Sequence, residues 1–261
     1  MRTSTFLLCL YTAILFCSCK KNNPERANCK LEQLHFDQYN GKVVYRFTYD
    51  QSGKPVQLTK EITFDSGQKY SYSEAIVYDN AGRLYKTAFI ETDPQGSKPL
   101  FTEFVYDGYG NVASSFTYTD SVHKDSASKN VYVFDANKRL VSISHGFEFE
   151  YDANGNLIKQ YGFTNTGKVL RIECSGYDAN RNFYEAADAT IRFLMAIREP
   201  VEALPLVQYS INNVGKIKRY DYEGVNVLST DTLTYQYQGD LPVSSYSPIS
   251  KFNQAYMYSC N

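Results

Sequence analysis

A five-residue stretch, 152–156, contains the residue types of a metal-binding loop. Its sequence, Asp-Ala-Asn-Gly-Asn, places three oxygen-bearing side chains at alternate positions, and Ca²⁺ accepts carboxylate and amide oxygens as ligands. An EF-hand loop also needs glycine at its sixth position and a bidentate glutamate at its twelfth. Here the glycine is fourth and the twelfth residue is Phe163. Because Asp and Gly at this spacing also suit a tight turn, we predict a turn, with no metal site and no cofactor.

The other residue types that do chemistry form no catalytic motif in the sequence. The three histidines, His35, His123 and His145, have no metal-ligand spacing, and the chain has no nucleophile elbow, phosphate-binding loop or dinucleotide fingerprint. Asp and Glu are plentiful, so a carboxylate pair suited to glycan hydrolysis stays open as a less favoured alternative. The formal net charge of −1 gives no basic excess for nucleic-acid binding. We predict no catalytic residues and a protein that is not an enzyme.

The turn at residue 152 belongs to a repeat. Its pattern is Tyr-Asp-x-x-Gly-x-apolar, with Phe replacing Tyr or another residue replacing Gly in some copies. Copies begin at residues 49, 78, 106, 134, 151 and 177, and degenerate copies begin at 211 and 237. The first four starts are 29, 28 and 28 residues apart, which indicates a repeat architecture. Alternating apolar residues on both sides of the turns predict strands, so we expect a mainly β fold built as one long antiparallel meander of hairpins.

One segment breaks the repeat and predicts a helix. Residues 184–199 carry apolar residues at helical spacing, and Pro200 should end the helix. Because apolar residues cover most of its circumference, the helix should be buried. We expect it to pack on the concave face of a curved or half-barrel sheet, with packing on one sheet edge as the alternative. If the concave face holds an apolar ligand, its contacts would be Ile191, Leu194 and Met195.

The N-terminus has the layout of an exported lipoprotein. Residues 1–18 read as a signal peptide, with one Arg followed by an apolar stretch too short to span a bilayer comfortably. The small residue before Cys19 and the polar stretch after it resemble a bacterial lipobox. That resemblance implies cleavage before Cys19 and diacylation of its sulfur; the alternative is a cleaved signal peptide without lipid. Residues 19–30 would then form the anchor and tether, and 31–261 a single β domain.

Three of the six cysteines are left once the signal peptide and Cys19 are set aside. Cys29 and Cys260 lie near the two ends of the mature chain, and chain ends often lie close together. An exported protein can hold disulfides. We therefore predict that Cys29 and Cys260 pair, which leaves Cys174 as a buried free thiol.

The Tyr-Asp-x-x-Gly-x-Leu pattern resembles the YD repeat of the Rhs family. With the lipobox and a chain of this length, the sequence is most similar to YD-repeat lipoproteins of Bacteroidetes, an uncharacterised group. The resemblance runs from about residue 42 to the C-terminus. It implies a porin-like, curved antiparallel sheet and no specific activity.

These features favour a membrane-anchored lipoprotein of the cell envelope that acts as a non-enzymatic binding or structural module for a protein or glycan partner. The alternative is a carrier that holds a lipid or another apolar ligand in the concave face of the sheet. The 24 Tyr and 16 Phe, with no Trp, suit cross-strand packing better than sugar stacking. Lys20-Lys21 stands where some Bacteroidetes carry an acidic surface-export signal, so we expect an outer-membrane protein that faces the periplasm.

Overall fold

Seventeen β-strands in one antiparallel sheet and one α-helix make up the described part of the chain. The predicted signal peptide, Cys19 and Pro200 lie outside the described residues. The computed structural model describes residues 29–38, 41–92, 99–119, 128–144, 146–198 and 210–260.

The elements follow one another in chain order as a long run of strands interrupted once by helix. The strands are β1 (Cys29–Gln38), β2 (Gly41–Tyr49), β3 (Pro55–Phe64), β4 (Lys69–Tyr78), β5 (Leu84–Thr92), β6 (Leu100–Tyr106), β7 (Val112–Tyr118), β8 (Ser128–Phe134), β9 (Leu140–Ile143), β10 (Phe147–Tyr151), β11 (Leu157–Thr164), β12 (Gly167–Ser175), β13 (Lys216–Tyr220), β14 (Val227–Thr232), β15 (Thr234–Gln238), β16 (Leu241–Ser247) and β17 (Phe252–Cys260). A short 3₁₀ helix (Phe183–Ala186) and helix α1 (Ala189–Arg198) lie between β12 and β13.

The sheet curls round until its first and last strands pair with each other. Strands that are neighbours in the chain pair with each other, and β17 pairs with β1. In the described sheet β14 and β15 are not paired to each other; they are separated by Leu233 alone, and β14 pairs with β13 while β15 pairs with β16. The sheet is therefore nearly closed into a barrel. The predicted long, curved meander is confirmed, and the β1–β17 pairing makes it more closed than a half-barrel.

The repeated turns lie together. Because consecutive strands run antiparallel, alternate connections fall at the same end of the sheet. The turns of the copies that begin at residues 49, 78, 106, 134 and 151 therefore share one end of the barrel, which we call the repeat-turn end. The turn at 237 lies at the same end, since the Tyr237 hydroxyl bonds to Asp178 in the connection that follows β12.

Local hydrogen bonds explain why each complete copy turns where it does. Asp79 Oδ1 accepts the backbone N–H groups of Ala81 and Arg83 at 2.9 and 2.8 Å. The Arg83 side chain also donates to Asp79, from Nε to Oδ2 at 2.8 Å. The hydrogen bonds from the backbone and side chain of Arg83 hold the pKa of the Asp79 carboxyl below its usual range. Gly82 has a φ of 75°, which glycine adopts without a steric penalty. The matching carboxylates in other copies are those of Asp50, Asp107 and Asp135.

The repeat tyrosine ties each copy to the copy before it. Tyr106 donates its hydroxyl hydrogen to the backbone carbonyl of Leu84 at 2.9 Å, and Leu84 is the first residue of the strand that leaves the preceding turn. The guanidinium of Arg83 lies 4.7 Å from the centre of the same ring, within the range of a cation–π contact. Equivalent hydroxyl-to-carbonyl bonds join Tyr49 to Leu31, Tyr78 to Pro55, Tyr151 to Leu140, Tyr177 to Leu157, Tyr235 to Val214 and Tyr258 to Pro242.

Among the six copies that begin at residues 49 to 177, the one at 134 has no hydroxyl for this bond, because Phe134 takes the tyrosine position. The equivalent acceptor is the carbonyl of Val112, the first residue of β7. We expect Phe134→Tyr to raise the free energy of unfolding by about 1 kcal/mol, the typical net value of one hydrogen bond. Urea unfolding followed by circular dichroism measures the change. Tyr106→Phe is the matched control and should lower it by a similar amount; a loss of stability in Phe134→Tyr would show that the hydroxyl does not reach Val112.

Helix α1 begins later than the sequence predicts. Asp188 caps it, since its Oδ1 accepts the backbone N–H of Thr190 at 2.7 Å, and such a cap fixes where an α-helix starts. The residues before the cap form the separate 3₁₀ helix instead of continuing α1 towards the N-terminus. The predicted single helix over 184–199 is therefore wrong at its first turn, while the apolar segment itself is helical as expected.

The buried face of α1 fills the concave side of the sheet. Ile191 and Leu194 have no exposed surface and Met195 has 1%. The Phe193 ring meets the rings of Phe104 and Tyr132 edge-on, with centroids 5.9 and 5.2 Å apart. The prediction that the helix packs on the concave face is confirmed, and the alternative of a helix on a sheet edge is wrong.

Two details of the repeat differ from the sequence pattern. The copies at 177 and 211 flank a single connection, that between β12 and β13, and Asp178 accepts the backbone N–H of Asn213 across it at 3.2 Å. A further turn of the same chemistry joins β13 to β14 at the opposite end. There Asp221 Oδ1 accepts the N–H of Val225 at 2.8 Å, and Gly224 has a φ of 72°. One extra residue after that glycine shifts the next apolar residue out of the expected spacing.

Candidate functional site

A large recess opens at the repeat-turn end. We call it the turn-end cleft. It lies between four consecutive turns, those of the copies at 78, 106, 134 and 151, and the first turn of α1, and its volume is about 760 Å³. Its polar lining consists of Arg83, Asn111, Asn137, Lys138, Arg139, Asn154, Thr190 and Arg192.

Two of the cleft's cations are held by aspartates of their own turns. Arg83 reaches Asp79 Oδ2 through Nη2 at 2.7 Å, and Arg139 reaches Asp135 Oδ2 in the same way at 2.6 Å. Each arginine directly follows the left-handed residue of its turn. In each pair the arginine Nε also donates to the same oxygen, at 2.8 Å from Arg83 and 2.7 Å from Arg139, so two contacts orient each guanidinium.

The other two cations of the turn-end cleft have no such partner. Lys138 is exposed and takes the left-handed position of its turn, with a φ of 60°. Arg192 is half-buried, and its Nε is enclosed without a hydrogen-bond partner among the described residues. Within the described ranges neither side chain forms an ion pair. Both residues line the cleft, so an anionic group entering it would be stabilised by two cations that are not already paired with a carboxylate of the described residues.

The carboxylates of the repeat turns face away from the cleft. Asp107, for example, accepts the backbone N–H groups of Tyr109 and Asn111 and the side-chain amide of Asn111. The aspartates do not line the cleft. The surface offered to a ligand is therefore rich in hydrogen-bond donors, with apolar ring surface from Phe134 and Phe193 at its base.

The three oxygen side chains of 152–156 do not converge on a point. Both oxygens of Asp152 accept hydrogen bonds from Asn156, at 2.8 and 3.3 Å. Asn156 is buried, and its Oδ1 accepts the backbone N–H of Asn212 at 3.0 Å. Asn154 is exposed and lines the turn-end cleft. In the part of the chain that the structure covers, no three His, Cys, Asp or Glu side chains are grouped to hold a metal ion.

A second, smaller cavity lies inside the barrel beside the end of α1. Its volume is about 220 Å³. Of the three predicted apolar ligand contacts, Met195 borders this cavity, whereas Ile191 and Leu194 lie in the core without exposed surface. The cavity is not purely apolar. It is lined by Tyr45, Leu58, Lys60, Tyr72, Glu74, Phe89, Met195 and Arg198.

A buried ion pair forms one wall of this inner cavity. Glu74 is 2% exposed, and Arg198 Nη2 lies 2.5 Å from its Oε1. The same nitrogen donates to the hydroxyl oxygens of Thr87 and Thr102, each at 3.1 Å. These four side chains come from β4, β5, β6 and α1, so the pair fastens the C-terminal end of the helix to the inner face of the sheet.

The cysteines fall into three environments. Cys29 and Cys260 are opposite each other in the β1–β17 pairing and are joined by a disulfide. Cys174 is a free cysteine in the core, and burial raises the pKa of its thiol to about 12. Cys19 lies outside the described residues. No helix in the described ranges has the length and apolar character to cross a bilayer.

Comparison with known proteins finds solved structures that resemble this chain, but no matching family model and no matching curated sequence. The chain is similar to a porin-like protein from Bacteroides uniformis, with a TM-score of 0.49 and 11% identity over 88% of this chain and 96% of that chain. It is also similar to a porin-like protein from Bacteroides vulgatus, with a TM-score of 0.38 and 13% identity over 88% of this chain and 98% of that chain. At this level of identity the likeness concerns the fold alone.

Proposed function

We propose that this protein is a lipid-anchored envelope lipoprotein of the YD-repeat type, a non-enzymatic module that binds a protein or glycan partner in the turn-end cleft. The observation that carries the proposal is that the residues which hold the turns differ from the side chains which line the cleft. The aspartate and the residue at the left-handed position, glycine in most of these copies, hold the turn, whereas the side chains of Lys138, Asn154 and Arg192 take no part in these bonds and line the cleft. Polar side chains that converge on a recess without a role in folding are typical of a ligand site.

The position of the N-terminus supports an anchored arrangement. Tyr49 belongs to the first repeat turn and bonds to Leu31 near the start of β1, so Cys29 lies at the repeat-turn end. Ten chain steps separate Cys19 from Cys29, and they span at most about 35 Å. A lipid on Cys19 would therefore hold the turn-end cleft close to the bilayer surface. We place the protein at the outer membrane, facing the periplasm.

The inner cavity favours a second candidate function, that of a carrier. Its volume of about 220 Å³ is smaller than the roughly 300 Å³ at which ordinary ligand pockets begin. The cavity is lined by charged side chains, those of Lys60, Glu74 and Arg198, in addition to aromatic rings. Such a carrier would suit a small ligand with a polar group better than a whole lipid.

The binding proposal can be tested by photo-crosslinking in the native envelope. A photoreactive amino acid at position 154 faces the turn-end cleft, whereas one at position 69 lies at the opposite end of the barrel. We expect the first to capture a discrete partner, identified by mass spectrometry and glycan analysis, because Asn154 is exposed in the cleft and outside the turn hydrogen bonds.

The control with the photoreactive residue at position 69 should capture no more than the background of a sample without the protein. Equal capture at both positions, or none at 154, would contradict the assignment of the cleft as the binding site. In the same cells, Cys19→Ser should move the protein out of the membrane pellet, and retention in the pellet would contradict the lipid anchor.

A further inference from the structure

The turn-end cleft repeats its chemistry at a regular spacing. Adjacent repeat turns are two strands apart, which corresponds to about 10 Å in the hydrogen-bonding direction of a sheet. Successive turns present Arg83, Asn111, Lys138 and Asn154 to the cleft. A ligand made of repeated units can offer the same group to one turn after another, whereas a single small anion would use one turn alone.

The donors and rings of the cleft point to sugar chemistry. Exposed amides such as Asn137 and Asn154 can donate to and accept from hydroxyl groups. Phe134, which is half-buried, adds apolar surface beneath them, against which the apolar face of a pyranose ring can pack. Neutral hydroxyl groups, however, would leave the charges of Lys138 and Arg192, which line the cleft, without an anionic partner among the described residues.

We propose that the turn-end cleft binds saccharide chains that carry anionic groups, with Lys138 and Arg192 as the residues that pair with the anion. This inference rests on the proposed function, since it names the ligand class of the same cleft. The anion can be the carboxylate of an acidic polysaccharide or the phosphate of a glycolipid headgroup. In both cases an oxyanion accepts hydrogen bonds from an ammonium and a guanidinium, while the sugar hydroxyls contact the amides of neighbouring turns.

The chain provides a matched pair of lysines for the test. Lys138 has a φ of 60° and Lys251 a φ of 53°. Both are exposed turn residues, and Lys251 lies at the end of the barrel opposite the cleft. Because glycine adopts a positive φ without strain, Lys138→Gly and Lys251→Gly should each keep or raise the Tm. Only Lys138→Gly removes a cation from the cleft.

Calorimetric titration should compare tetragalacturonate, maltotetraose, a phosphorylated glycolipid headgroup released from its acyl chains, and inorganic phosphate. We expect tetragalacturonate or the phosphorylated headgroup to bind at least tenfold more tightly than maltotetraose and phosphate, and the tighter of the two identifies the source of the anion. Lys138→Gly and Arg192→Gln should each weaken that binding by roughly tenfold, the effect of losing a hydrogen bond to a charged group. Lys251→Gly should leave it unchanged.

Two results would overturn the inference. One is that maltotetraose binds as tightly as both anionic saccharides; in that case the cleft remains a glycan site and the proposed function stands. The other is that anionic binding is insensitive to Lys138→Gly and Arg192→Gln, both with a native Tm. Failure of every saccharide together with loss of crosslinking at position 154 would instead count against the proposed function itself.

Discussion

Replacing Cys29 and Cys260 together by serine should lower the free energy of unfolding by about 3 to 5 kcal/mol. The disulfide closes a loop across a sequence separation of 231 residues, and cross-linking such distant positions restricts the unfolded chain more than a short loop does. It also sits on the β1–β17 pairing, which joins the first and last strands of the chain. Urea unfolding of the double variant, followed by tyrosine fluorescence, measures the loss.

Two comparisons make the disulfide prediction specific. Wild-type protein unfolded under reducing conditions should show the same loss as the double variant. Under non-reducing conditions Cys174→Ala, which keeps the disulfide, should show no more than its own small packing effect. A loss below about 1 kcal/mol, well under the usual range for a native disulfide, would show that the β1–β17 ladder closes the barrel without covalent help.

Arg198→Ala should lower the free energy of unfolding by about 3 to 5 kcal/mol, since it leaves the carboxylate of Glu74 buried without its partner. Glu74 is 2% exposed, and Arg198 also donates hydrogen bonds to the hydroxyl oxygens of Thr87 and Thr102. Urea unfolding again gives the measurement. The double variant Glu74→Leu/Arg198→Met should be far less damaged than Arg198→Ala, because apolar residues of similar volume can replace a buried ion pair at little cost.

An ion pair on the outer face provides the control for this prediction. Lys168 and Glu148 lie 2.6 Å apart with 40% and 38% of their side chains exposed, and Lys168→Ala should change stability by less than about 1 kcal/mol. If the double variant Glu74→Leu/Arg198→Met is as unstable as Arg198→Ala, the loss comes from packing and not from the uncompensated charge.

The hairpins could be predicted from the sequence because their causes are local. The aspartate and glycine of a copy are three residues apart, and the bonds of Asp79 reach no further than Arg83. Alternation of apolar residues then sets the strands. The turn at Asp221 begins with the same Tyr-Asp-x-x-Gly residues and was predictable by the same rule; it departs from the other copies only after Gly224.

The remaining features depend on residues that are distant in the chain. The sequence predicts that the tyrosine of a copy packs on the sheet. It does not predict that the hydroxyl bonds to the previous copy, as Tyr106 bonds to Leu84, because that bond depends on the register between hairpins. Arg198 and Glu74 are 124 residues apart, and nothing in either local sequence marks them as partners. The turn-end cleft likewise exists because curvature brings four turns round the first turn of α1.

The Cys29–Cys260 disulfide also decides how the protein responds to mechanical force. With the proposed lipid on Cys19, tension would enter the barrel at Cys29, and without a crosslink it would peel β1 away from its neighbours one hydrogen bond at a time. The disulfide would pass that tension directly to the end of β17, so that β1 and β17 are loaded together. The pairing of the first and last strands would therefore resist being pulled apart from the anchored end.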